Sequence, residues 1–299
     1  SPSSTIYSIF FCTNYKYAAC VAALRTLVMQ RHGFRTGNPT SLGVLYGTSR
    51  MVIYGYRGNT MAAQLAEAYW AGAEIHNCGQ SGALLADLST NFASICNASA
   101  MINRVSSRAN RWIVVQGGDN ERGVSSAVPP WDTTAPGVAD ADWITAAAAS
   151  YVTYKAILTA AATNYGKRIG CTVIPRGDLI DTGNNSRNFH GVRYYFNLLV
   201  TQAEGADCEA VADMAAALPF TIDTALASIT QAVVQAAINP SGPDLYNSFD
   251  TYLHLIGQQG NGQDLFGVIA RNALAASGAT GFTAAGAAAA RGINPRRSR

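Results

Sequence analysis

Leu42-Gly43-Val44-Leu45-Tyr46-Gly47-Thr48-Ser49 is the stretch that decides how this chain folds. A short, mostly apolar run without alternation passes into a glycine and two hydroxyl residues. An unbroken run of this kind suits a strand covered on both faces, as in a parallel sheet, and Gly-Thr-Ser suits the turn that leaves it. Working outward, similar runs recur at Ala73–Asn77, Trp112–Gln116, Arg168–Ile174 and Cys208–Ala212. Longer stretches of helical character lie between and after them: Thr60–Tyr69, Leu84–Ile95, Trp143–Asn164, Arg187–Glu204, Thr221–Ile238 and Gly262–Ala276. Strands alternating with helices predict an α/β domain, a parallel sheet joined by crossover helices. Met61, Leu65 and Ala68 share one face of the first of these helices, an ordinary core-packing pattern.

Composition agrees with a globular enzyme-sized domain. Of 299 residues, 48% are hydrophobic and 13% charged, which provides a large core and excludes a disordered chain. A net charge of +3 is too small to argue for nucleic acid. The six cysteines (Cys12, Cys20, Cys78, Cys96, Cys171, Cys208) form no CxxC pair, against a zinc ribbon or a thioredoxin-type site. Most are expected as small buried apolar side chains, with a Cys12–Cys20 bridge left open. The apolar stretch Ile6–Cys12 is short, lacks a basic leader and reads as neither a secretory signal nor a membrane span.

The chain divides into residues 1–40, an N-terminal extension with a helix candidate at Tyr17–Gln30; residues 41–277, the α/β domain; and residues 278–299, an Ala/Gly-rich basic tail. The extension is expected to pack on the domain or to dock it onto a larger assembly. The loop Ser125–Asp142 contains three prolines and Trp131 and runs directly into Trp143. Long loops in compact domains tend to carry function, and two tryptophans suit an aromatic platform for a sugar.

In an open parallel sheet, ligands bind at the carboxyl ends of the strands. Three turns there carry chemistry. Gly47-Thr48-Ser49 leaves the first strand and exposes a hydroxyl. Asn77-Cys78-Gly79-Gln80-Ser81-Gly82 leaves the second and offers backbone N–H groups to a developing oxyanion. Gly117-Gly118-Asp119-Asn120-Glu121 leaves the third and offers an asparagine amide. Near the C-terminus, Asp250-Thr251-Tyr252-Leu253-His254-Leu255 places an aspartate within one turn of a histidine, which can orient the ring and stabilise its imidazolium. Taken one at a time, each is also an ordinary turn or surface pair. His190, near Arg187 and Arg193, is a further candidate to line a cleft.

In this order the four blocks resemble those of the SGNH (GDSL-type) hydrolases, from about Leu42 to Arg271. The resemblance implies a flavodoxin-like three-layer fold, five parallel strands in the order 2-1-3-4-5, and a serine esterase needing neither metal nor cofactor. It implies Ser49 as nucleophile, His254 as base and Asp250 as the orienting acid. Gly79 and Asn120 would form the oxyanion hole. The expected substrate is a carboxylic ester, first among them an O-acetylated polysaccharide bound across Trp131 and Trp143.

Two positions depart from the family pattern. The family usually has aspartate before its serine, where this chain has Thr48. It usually places its acid three residues before the histidine, whereas Asp250 lies four before His254, so a backbone carbonyl could orient the ring instead. These departures keep open a catalytically inactive SGNH-fold module that binds carbohydrate or serves a virion or cell surface. Two other readings of the site compete. Met51–Tyr54 as first strand would put Arg57 in the nucleophile turn, but Gly58-Asn59-Thr60 reads as a helix entry at a distance that suits Ser49. Gly79-Gln80-Ser81-Gly82-Ala83 approaches a nucleophile elbow at Ser81, with Asp181 and His254 following, but lacks its last glycine.

Overall fold

The computed structural model describes residues 41–49, 51, 73–97, 99–103, 105, 107–121, 140–176, 185–216 and 262–280. The helix candidates at Tyr17–Gln30, Thr60–Tyr69 and Thr221–Ile238 lie outside these residues. Within them the chain runs β1 (Ser41–Gly47), β2 (Ala73–Gly79), α1 (Leu85–Cys96), α2 (Ser99–Ile102), a 3-10 turn (Arg108–Asn110) and β3 (Arg111–Val115). It continues with α3 (Asp140–Ala161), β4 (Lys167–Cys171), α4 (Asn185–Gln202), β5 (Ala210–Ala212) and α5 (Gly262–Ala276). Every strand pairing is parallel, and the order is β2-β1-β3-β4-β5, the flavodoxin-like order expected. The strand Ser41–Gly47 excludes the alternative that started the sheet at Met51.

The central strands β1 and β3 are buried along their whole length on both faces. Val44, Tyr46, Ile113 and Val115 point to one side and join Leu88, Phe92, Tyr154 and Phe196 of α1, α3 and α4 in one continuous core. Leu45, Trp112, Val114 and Ile169 alternate with them, point to the other side and are fully or almost fully buried. Helix α5 lies against β4 and β5, burying Phe266, Ala270 and Leu274. Each large apolar side chain buried this way contributes roughly 1.5–3 kcal/mol.

Several boundaries move by a few residues: β2 runs past Asn77 to Gly79, and α3 spans Asp140–Ala161 in place of Trp143–Asn164. β4 was expected to reach Ile174 but ends at Cys171, and Cys208 forms only an isolated bridge with Glu204 before β5 starts at Ala210. Of the cysteines described, Cys96, Cys171 and Cys208 are buried, Cys78 is half-buried and all four are free thiols. Among the described residues no helix is long and apolar enough to cross a membrane.

Candidate active site

Parallel register sets Gly47 opposite Gly79 and Tyr46 opposite Val115, so the turns after β1, β2 and β3 leave the sheet along one edge. Two backbone bonds extend the ladder past the strands: Gln80 N–H donates to Gly47 O at 2.7 Å, and Gln116 N–H to Tyr46 O at 2.9 Å. Ser49, Gly79 and Asn120, expected from the sequence to work together, therefore stand on adjacent strand ends.

The turn holding Ser49 is closed by Met51 N–H donating to Thr48 O at 3.0 Å. Thr48 is fully buried. Its N–H donates to Gln116 Oε1 at 3.3 Å, and its hydroxyl lies 2.9 Å from that oxygen and 2.8 Å from Asp119 Oδ2. The Gln116 amide also donates to Asp119 Oδ2. Glycine is required at 47 because a Cβ there would meet the Gln116 carbonyl oxygen at 2.5 Å. Ser49 is only 5% exposed, where the sequence predicted a turn that exposes its hydroxyl.

The turn after β2 is tied to α1. Asn91 donates to Gln80 Oε1, Gln80 Nε2 to the Tyr46 hydroxyl, and that hydroxyl to Leu88 O, at 2.9, 2.9 and 2.5 Å. Ser81 is exposed, in a turn closed by Ala83 N–H on Gln80 O, and α1 starts only at Leu85. Residues 80–84 thus separate strand from helix, which is not the single sharp bend of an elbow.

After β3, Gly118 has φ of 102°, a conformation other residues rarely adopt, and three consecutive side chains follow it. Asp119 bonds Thr48. Asn120 Nδ2 donates to Ala83 O at 3.1 Å. Glu121 Oε1 accepts from Leu85 N–H at 2.6 Å, at the N-terminus of α1. That bond uses one of the two hydrogens of the Asn120 amide. Burial raises the Glu121 pKa to about 7, opposed by the Leu85 N–H and assisted by Asp119 and Asp87.

Two expectations are corrected. Trp143 is fully buried: its indole N–H donates to Asn188 Oδ1 at 3.1 Å, and its ring fills the space where Gly191 has no Cβ. It belongs to the α3–α4 core, not to an open platform. His190 is also fully buried, its Nδ1 accepting from Arg193 Nε at 3.1 Å, so it lines no open cleft. Arg176, five residues past the end of β4, donates to the Asp119 carbonyl and so ties down the β3 turn. Sequence reasoning missed Gln116 and Arg176, although a glutamine ending an apolar strand was a visible signal. His254, Asp250, Trp131 and Asp181 lie outside the described residues, as does the Arg187 side chain. Among the described residues no group of three or more His, Cys, Asp and Glu is placed to hold a metal ion.

Five parallel strands in the order 2-1-3-4-5 carry Gly-Thr-Ser, Asn-Cys-Gly and Gly-Asp-Asn-Glu at the carboxyl ends of the three consecutive strands β1, β2 and β3. The fold is the flavodoxin-like one that the resemblance implied. No family model matches the sequence, and no curated protein matches it. Among solved structures, the chain is similar to a putative lipolytic protein of the G-D-S-L family from Desulfitobacterium hafniense, at 16% identity over 77% of this chain and 97% of that one, with a TM-score of 0.47. It is also similar to the acetylxylan esterase Axe2 from Geobacillus stearothermophilus, at 14% identity over 83% and 99%, with a TM-score of 0.46. A third is a lipase/acylhydrolase from Enterococcus faecalis, at 13% identity over 77% and 93%, with a TM-score of 0.43. The flavodoxin-like fold rests on the strand order and the parallel pairing alone.

Proposed function

We propose that this chain is a carboxylic ester hydrolase with Ser49 as its nucleophile. His254 takes the Ser49 proton as the hydroxyl attacks the ester carbonyl, and Asp250 orients the imidazole. The Ser49 and Gly79 N–H groups and the Asn120 amide hold the tetrahedral oxyanion. Collapse expels the alcohol, which takes the proton from His254, and leaves an acyl group on Ser49. Water, deprotonated by His254, then releases the acid and restores the serine.

The observation that carries this reading is the pinned Asn120 amide. Asn120 follows β3, the neighbour of the strand that leads to Ser49, and one of its amide hydrogens is committed to Ala83 O, so the other has a fixed direction. Donors fixed in advance stabilise developing charge without reorganising during the reaction. For the substrate we infer an acetyl ester on a polysaccharide, bound against Trp131, since Trp143 is committed to the core.

The test uses a short-chain chromogenic ester and a fluorophosphonate probe on the wild type and on Ser49→Ala, Ser81→Ala and His254→Ala. Turnover and labelling lost in Ser49→Ala and His254→Ala but kept in Ser81→Ala support the proposal. Loss in Ser81→Ala alone moves the nucleophile. A folded wild type that neither turns over nor labels leaves a binding module, and glycan binding then becomes the readout. Acetate release from acetylated glycans separates the proposed substrate from acyl-chain esters.

A further inference from the structure

We infer that Asp119 is a positioning residue that acts on the nucleophile turn through the Thr48 hydroxyl, an inference that rests on Ser49 being the nucleophile. Thr48 is the first residue of the four-residue turn closed by Met51 N–H, and Ser49 is the second. The placement of Ser49 therefore follows from how firmly Thr48 is held. Thr48, Gln116 and Asp119 are 0%, 2% and 1% exposed, so their polar atoms have no bulk water to turn to. The threonine hydroxyl has one proton, shared between Gln116 Oε1 at 2.9 Å and Asp119 Oδ2 at 2.8 Å, while Gln116 donates its own amide to the same carboxylate oxygen. Hydrogen bonds in a buried network are stronger than in water and reinforce one another.

The carboxylate belongs to the residue immediately before Asn120. One segment of backbone therefore carries the donor for the oxyanion and the anchor for the nucleophile turn. Arg176 adds a third restraint by donating to the Asp119 carbonyl. Through this network the separation of Ser49 from Asn120 is set by buried hydrogen bonds, although the two residues lie 71 positions apart in sequence. It also gives a physical sense to threonine at position 48. A hydroxyl there receives its restraint from a carboxylate supplied by the neighbouring strand.

The experiment compares wild type, Thr48→Ser, Thr48→Val and Asp119→Asn, with kcat and KM on a short-chain ester and the rate of fluorophosphonate labelling at Ser49. Valine keeps the volume of threonine and removes the hydroxyl; serine keeps the hydroxyl. Thr48→Val is expected to lower kcat and the labelling rate by about 10- to 100-fold with little change in KM, since misplacement near 1 Å can cost about 100-fold. Thr48→Ser should recover most of that loss. Asp119→Asn should lower kcat in the same way, and the double variant Thr48→Val/Asp119→Asn should be no worse than the poorer single one.

A Thr48→Val protein that folds and labels at the wild-type rate overturns the inference, as do single losses that multiply in the double variant. If Thr48→Val does not fold, Asp119→Asn against Thr48→Ser decides it: unchanged kcat in a folded Asp119→Asn overturns it equally. A folded wild type that never labels at Ser49 overturns the esterase reading and this inference with it. A labelled wild type with an indifferent Thr48→Val overturns this inference alone.

Discussion

The side-chain amide of Asn120 donates to the backbone carbonyl of Ala83 at 3.1 Å, so the turn after β3 is tied to the segment that leads into α1. An asparagine that only filled a turn would tolerate loss of its amide. One that also faces an oxyanion would not. Asn120→Ala and Asn120→Asp are expected to lower kcat by about 100- to 1000-fold, the usual cost of one oxyanion donor, with a smaller effect on KM. Steady-state kinetics on a chromogenic ester check this, and retention of more than about a tenth of the wild-type kcat would count against Asn120 in that role.

Glu121 predicts a pH dependence of stability. Its folded pKa, about 7, lies above the ordinary carboxyl value of 4.5 because burial disfavours the charge. The folded protein therefore binds this proton more tightly than the unfolded chain. The stability it contributes is complete below pH 4.5 and is lost as pH rises through 7. Glu121→Gln keeps an oxygen for the Leu85 N–H and removes the ionisation. Urea denaturation should find it equal to wild type at about pH 4 and more stable by roughly 2–3 kcal/mol at about pH 8.

Gly43 and Trp112 form a matched pair across β1 and β3. A Cβ on Gly43 would meet the Trp112 ring at 2.1 Å, and the ring is almost wholly buried. Gly43→Ala is expected to cost about 1–3 kcal/mol by overpacking, or more if the ring cannot shift. A denaturation midpoint unchanged from wild type would contradict this packing.

The thiols of Cys96, Cys171 and Cys208 are buried and held above the ordinary cysteine pKa range, chiefly by that burial. The thiolate is the reactive form, so these three should resist brief alkylation of the folded protein at pH 8. Half-buried Cys78 should label before them, and peptide mapping would order the four.

The sheet was legible because its strands are short and mostly apolar, β1 and β3 above all, and α5 could be bounded from sequence at Gly262–Ala276, where the structure ends it too. Each of the three turns alone is ordinary, and they were legible because one follows each of the first three strands in a fixed order. What failed was orientation. Trp143 beside a proline-rich loop suggested a platform, yet it shares a helical face with Ala146, Ala147, Tyr154, Ile157 and Leu158, all buried. That spacing was readable and argued for core. The Thr48–Gln116–Asp119 network was not readable, because it joins residues about seventy positions apart whose pairing depends on strand register. His190 looked polar by type, but its neighbours in space, Arg176 and Arg193, satisfy its ring inside the protein.

Tyr154 of α3 has a consequence for how the molecule comes apart. Its fully buried phenol donates to Val115 O at 2.8 Å and accepts from Cys171 N–H at 2.9 Å, so a side chain from a helix forms one of the links between β3 and β4. If α3 loosened, a strand carbonyl and a strand amide would lose their partner in the same event, each at a cost of about 1–3 kcal/mol. Helix and sheet centre are thereby bound into a single cooperative unit, and in hydrogen exchange the amide of Cys171 should open only with the helix that carries Tyr154.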